Sequence, residues 1–543
     1  MSVISLRISI LSNRYLYLAL TAFYTGCEEN GNQLSDKQPM KIIQNIQERL
    51  GKSSLFLILL PVFYLLHMVT EYYPMLTLKD LFIPVTAWML GLPVLLFLAI
   101  RYIKASWVQY AMTFFYLEIV YFFFSTIYLF IEKYIPFLAH YKYLLPLIVA
   151  IGVFLFISSR KKKAPPYRFF LYLNTLLIIL VIVECIQLVI KTLPEKTFTA
   201  LHQSNGDLPQ LPPCDSCIKP DVHYIVFDGY AGSDALQHFW QYDNSALDSF
   251  FRTHGFYNVA HAKSNYNYTS FSIGSILNMD YHQRAFDQKI DLLLYCEGIK
   301  TIKNNPVCRL FQQLGYTIIN QSFFPIPGDK PRQSISYLSN KKAILMSPTL
   351  PSRLINDIGW QAGIKQLTFN SSRFIEENTA NSRLSLQQLQ NTYKQLMQIA
   401  GQQHKKPAFV YSHFMLPHKP YLFDSTGHLT PDSTWHNNSY KKASYLSQLK
   451  HTNTVIRNIV TQLLKPGNRP RVIIIQSDHG YREFPKNLKQ LEFSNLNAIY
   501  FPDQQYTGLY DSISSVNTFR VILRKYFNAP LPLLKDSTVY IRH

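Results

Sequence analysis

Val472-Ile473-Ile474-Ile475-Gln476-Ser477-Asp478-His479-Gly480 follows the turn-forming run Pro466-Gly467-Asn468-Arg469-Pro470. Four β-branched residues in a row, without polar alternation, predict a strand buried on both faces of a parallel sheet. The strand runs out onto an acid, an imidazole and a glycine. Ligands of open α/β sheets sit at the carboxyl ends of strands, where a carboxylate and a neutral imidazole are well placed to hold a metal. By itself, the triplet is equally compatible with a surface turn.

A second stretch repeats the pattern. Val222-His223-Tyr224-Ile225-Val226-Phe227 ends on Asp228-Gly229, so two strands about 250 residues apart each deliver an acid at the carboxyl end. As neighbours in one sheet they converge on one ion. Helical segments at 384–399 and 445–464 and a short strand at 408–411 complete an α/β alternation with a mostly parallel sheet.

The 543 residues exceed what one core usually supports, and the composition changes near residue 192. Before it, five apolar segments at about 53–72, 80–100, 106–131, 142–159 and 167–190 each approach the length that crosses a bilayer. Away from the segment ends, Glu118 and Glu184 are the acids inside them. Lys and Arg concentrate before the first segment (Lys37, Lys41, Arg49, Lys52), after the second (Arg101, Lys104) and after the fourth (Arg160 to Lys163, Arg168). The positive-inside rule then puts the N-terminus in the cytoplasm and, after five spans, the C-terminal part outside it. The expected organisation is a cytoplasmic segment 1–52, a five-helix membrane domain 53–191, a Pro-rich linker 192–220 and a globular domain 221–543. The net charge of +20 is spread without a basic arm, so no nucleic-acid partner is expected. Cys214, Cys217, Cys296 and Cys308 lie where disulfides persist; 214–217 with 296–308 is one of three possible pairings.

Two further stretches carry chemistry. In Asn265-Tyr266-Asn267-Tyr268-Thr269-Ser270 a hydroxyl precedes an expected helix over 271–278, where free N–H groups favour an anion. In His413-Phe414-Met415-Leu416-Pro417-His418-Lys419 two histidines and a lysine follow the strand at 408–411, suited to holding a phosphate, a second metal or a proton. Asp424 and His428 flank Ser425-Thr426-Gly427, a turn rather than a helix face.

The ordered set Phe227-Asp228-Gly229, Thr269 in Asn-Tyr-Thr-Ser-Phe-Ser, His413-x4-His418 and Ser477-Asp478-His479-Gly480 resembles the alkaline phosphatase/sulfatase superfamily. With five spans ahead of it, the chain is similar in layout to membrane-anchored lipoteichoic acid synthases and lipid A phosphoethanolamine transferases. The resemblance implies Asp228, Asp478 and His479 as metal ligands and Thr269 as the metal-bound nucleophile. It implies His413, His418, Lys419, Asn265 and Asn267 as substrate contacts, with the two histidines assisting proton transfer. One divalent metal, zinc or manganese ahead of calcium or magnesium, is expected, because the only histidine after His479 is His543. Thr269 is not followed by the Pro and Arg that formylglycine sulfatases need. The implied reaction is extracytoplasmic transfer of a phosphoethanolamine or phosphoglycerol headgroup from a membrane phospholipid to an envelope glycan or lipid. The alternatives are a sulfatase-like phosphodiesterase or sulfuric ester hydrolase, and an inactive envelope scaffold or transporter accessory.

Overall fold

The structure, a computed structural model, describes residues 37–72, 76, 106–160, 166–192, 211–212, 217–282, 290, 292–333, 341–357, 372–431, 435 and 441–542. The apolar segment expected at 80–100 and Cys214 lie outside them. Two compact units are formed. One contains the helices α1 (Lys37–Lys52), most of α2 (Phe56–Glu71), the first part of α3 (Trp107–Tyr134), α4 (Tyr141–Ser159) and most of α5 (Tyr167–Thr192).

Among the described residues, α3, α4 and α5 are each long and apolar enough to cross a membrane. The first expected span is different: α2 has 16 residues with Pro61 inside it. It reaches spanning length only as one bent pair with Gln44–Lys52 of α1. Helix α3 breaks at Phe123, where φ is −110° and ψ 17°. Inside this unit Glu184 is bound by His67 Nδ1 at 2.8 Å, as expected of an acid surrounded by hydrocarbon.

The second unit is the α/β body. Six strands, β1 (Asp221–Phe227), β2 (Tyr257–Asn258), β3 (Thr317–Gln321), β4 (Ala408–Phe414), β5 (Arg471–Gln476) and β6 (Asn497–Tyr500), form one sheet in the order β2-β6-β5-β1-β4-β3. β5, β1, β4 and β3 are parallel; β6 and β2 close one edge antiparallel. Every residue of β1, β4 and β5 is buried, which accounts for the unbroken apolar reading of 472–475. Each fully buried Ile contributes roughly 2 kcal/mol by transfer from water. Ring pairs lock the β1–β4 register: Tyr224 stacks on Tyr411 at 5.3 Å and Phe227 on Phe414 at 5.2 Å. Helices Ser372–Gly401 and Lys441–Leu463 bury Leu396, Leu449 and Ile456 against one face.

The register positions the site. Val226 of β1 lies beside His413 of β4 and beside Gln476 of β5. Two residues further along their chains, Asp228 and Asp478 therefore leave the sheet side by side. The expected 408–411 strand runs on to Phe414, so His413 belongs to the buried sheet and not to the loop after it. Cys217 is disulfide-bonded. Cys308 is a buried free thiol, so the 296–308 bridge does not form: Cys308 sits in the core contacts of the helix Pro306–Gln313.

Candidate metal centre

Gly229 ends β1 in the left-handed region, φ +70°, a conformation open to glycine at little cost. That turn aims the Gly229 N–H at Asp478 Oδ1, 3.0 Å away, and the Tyr230 N–H at Ser477 Oγ, 2.9 Å away. The ends of β1 and β5 are thereby stitched together through Asp478. Its other oxygen, Oδ2, has no hydrogen-bond partner, and neither has Asp228 Oδ1, although both residues are buried. Two orphaned carboxylate oxygens in the interior are costly unless a cation lies between them.

The imidazoles are set to complete such a cage. His479 Nδ1 lies 2.7 Å from its neighbour's carbonyl, Gly480 O, so the neutral ring carries its proton there and presents a lone pair at Nε2. Nε2 stands 3.3 Å from Asp478 Oδ2 and 3.8 Å from Asp228 Oδ1. Acceptor faces acceptor, an arrangement that a shared cation resolves. Asp228, His413 and Asp478 each offer a ligand atom, all within 4.8 Å of one another; His413 Nε2 is 3.2 Å from Asp228 Oδ2. His413, read from sequence as a substrate contact, thus also stands within ligand range. The donor set, two carboxylates and neutral imidazoles, fits zinc or manganese.

Thr269 opens the buried helix Thr269–Asn278 as its first residue, with Tyr268 as the N-cap. The hydroxyl is therefore not consumed as a cap. Its Oγ1 lies 3.2 Å from His479 Nε2 and 3.4 Å from Asp228 Oδ2. Close packing holds the helix in place: at Gly298, on the helix Leu292–Lys303, an added Cβ would collide with the Ser270 side chain. The Ser272 hydroxyl also donates to the Asp478 carbonyl.

Burial pushes the Asp228 carboxyl up, but the imidazoles of His418, His413 and His479 outweigh it and hold it well below the usual carboxylate range. Burial keeps His418 and His479 below the ordinary imidazole value. Both rings are therefore neutral at pH 7, the form that can ligate or accept a proton.

Against His479 opens a cavity of about 370 Å³ whose lining also includes Tyr268, His418, Lys419, Tyr481, Arg482 and Glu483. His418 Nδ1 donates to Lys419 O at 2.7 Å, and its Nε2 accepts from Arg482 Nη2 at 2.9 Å. The Arg482 guanidinium lies 4.6 Å above the Tyr268 ring. Lys419 pairs with Glu483 at 2.6 Å. Arg482, Tyr268 and Glu483 were not among the sequence-predicted residues; the position of Arg482 and Glu483 directly behind Asp478-His479-Gly480 was the available signal.

The assignment of Asn265 and Asn267 to a phosphoryl oxygen is corrected by their hydrogen bonds. Asn265 Oδ1 accepts from Val516 N at 2.7 Å, and its Nδ2 donates to Ser537 O and Tyr281 Oη, each at 3.0 Å. Asn267 Oδ1 accepts from Ile541 N at 2.9 Å, and Nδ2 donates to Glu492 Oε2 at 2.8 Å and Ile541 O at 3.1 Å. Both amides are spent tying the segment ahead of Thr269 to residues near the C-terminus. Asp424 and His428 lie in a turn closed by Gly427 at φ +92°, as read from sequence.

This fold and this constellation define a phosphate- or sulfate-ester-processing enzyme of the alkaline phosphatase type. A family model described as Sulfatase matches residues 241–519, a span that includes Thr269, His413, Asp478 and His479, and the chain belongs to that family. No curated protein matches it. Among solved structures it is similar to the C-terminal periplasmic domain of EcEptC from Escherichia coli, with 12% identity, 62% of this chain and 94% of that one covered and a TM-score of 0.35. The integral membrane protein lipooligosaccharide phosphoethanolamine transferase A from Neisseria meningitidis is 12% identical over 89% of this chain and 96% of its own, TM-score 0.34. A phosphonate monoester hydrolase from Silicibacter pomeroyi is 15% identical over 59% and 75%, TM-score 0.33.

Proposed function

We propose that this protein transfers a phospho-headgroup, of the phosphoethanolamine or phosphoglycerol type, from a membrane phospholipid to an envelope glycan or lipid. On this reading residues 53–191 anchor the enzyme in a bacterial-type inner membrane and residues 221–543 work on its extracytoplasmic side. The observation that carries the reading is the convergence of Thr269 Oγ1 on His479 and Asp228, beside two buried carboxylate oxygens without partners. Asp228, Asp478 and His479, with His413 in reach, would hold a divalent ion, zinc or manganese. Such an ion lowers the pKa of the threonine hydroxyl and neutralises charge on the phosphoryl oxygens.

The chain's own residues do the rest. Neutral His418 takes the Thr269 hydroxyl proton at Nε2, which Arg482 vacates as its guanidinium turns to the phosphate, and returns that proton to the diacylglycerol oxygen as the Thr269 oxygen bonds to phosphorus and the phosphorus–oxygen bond to diacylglycerol breaks. The acceptor alcohol then gives its proton to the same His418 Nε2 as its oxygen displaces Thr269, and the proton passes back to the Thr269 oxygen. Arg482 and Lys419, on the cavity wall, balance the phosphate's charge, because positioning and electrostatics dominate phosphoryl transfer.

Extracytoplasmic chemistry has membrane phospholipids at hand as donors, which favours transfer over nucleotide-driven reactions. A Thr nucleophile without the formylglycine pattern speaks against sulfate esters. The test incubates the full chain in vesicles with a labelled phospholipid and an added alcohol. Diacylglycerol release with label on the alcohol is expected. Label appearing only as free headgroup phosphate would make the enzyme a phosphodiesterase, and no release at all would leave the scaffold alternative.

A further inference from the structure

Helices α1 and α2 meet at a built corner. Gln44–Lys52 of α1 runs at 91° to α2, and the groups freed by the break are satisfied by one buried amide from α5. Asn174 Nδ2 donates to the carbonyls of Leu50 at 2.7 Å and Ser53 at 2.9 Å, while Oδ1 accepts from Phe56 N at 2.6 Å. The Ser53 N–H caps Arg49 O at 3.0 Å. Gly51 lies so close to the Tyr167 ring that a Cβ there would overlap it. An unpaired backbone group in an apolar bundle is expensive, so this amide fixes the right angle.

The perpendicular arm has two unlike sides. By helical spacing Ile46 and Leu50 share one side of Gln44–Lys52, and Gln44, Glu48 and Lys52 fall on the opposite side. Ile46 is 52% exposed, and over the sequence of α1 four basic residues outnumber the one acid, Glu48, which Lys52 already pairs at 2.5 Å. When α2 stands along a membrane normal, an arm at 91° lies in the membrane plane. An amphipathic, basic helix in that plane buries its apolar stripe at the headgroup boundary and its cations meet anionic lipid.

We propose that α1 is an interfacial anchor that docks on anionic phospholipid headgroups of the leaflet that α2 enters. The proposal rests on the membrane reading given above. The test uses the full chain, with Cys27 and Cys185 replaced by Ser, in lipid nanodiscs. Bimane is placed on Ile46→Cys or, on the other side of the arm, on Gln44→Cys. In phosphatidylethanolamine with phosphatidylglycerol, the probe at 46 is expected to be quenched by doxyl-labelled lipid and shielded from iodide. The probe at 44 should show the reverse. The contrast should shrink several-fold in phosphatidylcholine, and also in phosphatidylglycerol with Lys41→Gln and Arg49→Gln.

Equal access of iodide to 46 and 44 would overturn the proposal. So would shielding of 46 without quenching by lipid, the mark of a protein partner or a second copy, and so would equal docking on neutral lipid. Alkaline carbonate extraction separates this from the underlying reading. Release of the chain from membranes would refute membrane integration, whereas retention with an aqueous position 46 would refute only the anchor.

Discussion

Two pairs of buried polar side chains lie within one site, and they differ in a way that separates chemistry from scaffolding. Asn265 and Asn267 have hydrogen-bond partners at both ends of each amide. Asp228 and Asp478 each keep one oxygen that has none. Burial is the same for all four. A buried group whose hydrogen bonds are complete contributes structure; one left incomplete stores a cost of about 1–3 kcal/mol or more, which a ligand can recover. The acids therefore mark where a cation fits, and the amides mark how the segment ahead of Thr269 is held.

The largest effect expected from this contrast is at the residue both pairs serve. Thr269→Ala should lower transfer by on the order of 10⁴-fold or more, as loss of a covalent nucleophile does, with metal content and melting temperature nearly unchanged in a thermal scan. Next, Asp478→Asn should remove bound metal by elemental analysis and activity with it. In chelator-treated protein the same variant should be more stable than the wild type, because a buried uncompensated charge has gone. If it is equally destabilised with and without chelator, the orphaned oxygen is not a cation site.

Asn267→Ala is the opposite experiment. It strips partners from Glu492 and Ile541 and should cost about 1–3 kcal/mol in a denaturant titration while metal stoichiometry stays intact. Arg482→Gln should be milder, raising KM about tenfold, or about 1.4 kcal/mol, through lost charge in the cavity, with little change in stability.

The smallest effect concerns Glu492, whose Oε1 is also buried without a partner. Burial raises its pKa to about 6, against the lowering influence of the Asn267 hydrogen bond. The folded state therefore binds this proton more tightly than the unfolded chain. The penalty is absent below about pH 4.5 and grows as pH rises through 6. Glu492→Gln should stabilise by about 1 kcal/mol at pH 7, and the gain should vanish in acid titrations.

The sheet was legible because β1 and β5 are buried on both faces and so display their strands as unbroken apolar runs. Their endings were legible for the same reason: Asp228 is the first polar residue after Ile225-Val226-Phe227, and Asp478-His479 follow the run 472–475 after only Gln476 and Ser477. His413 was misplaced by a few residues because β4 continues through Ser412, a polar residue that ends an apolar pattern without ending a strand. Asn265 and Asn267 looked like phosphate ligands since their partners, Tyr281 apart, are Glu492, Val516, Ser537 and Ile541, far away in sequence, and no local pattern announces such contacts. Arg482 had only its place behind Asp478-His479-Gly480 as a signal until the fold set it against His418. The corner between α1 and α2 was likewise hidden, because an apolar count reads through a right angle that Asn174 of a distant helix fixes.

In the proposed reaction Thr269 carries the headgroup between donor and acceptor. Its most direct test is mass spectrometry of the peptide containing Thr269 after the full chain has been incubated with membrane phospholipids without an acceptor. An adduct on Thr269 with the mass of a phospho-headgroup is expected, absent in Asp478→Asn. Steady diacylglycerol release with Thr269 unmodified under rapid quenching, or undiminished release by Thr269→Ala, would contradict it.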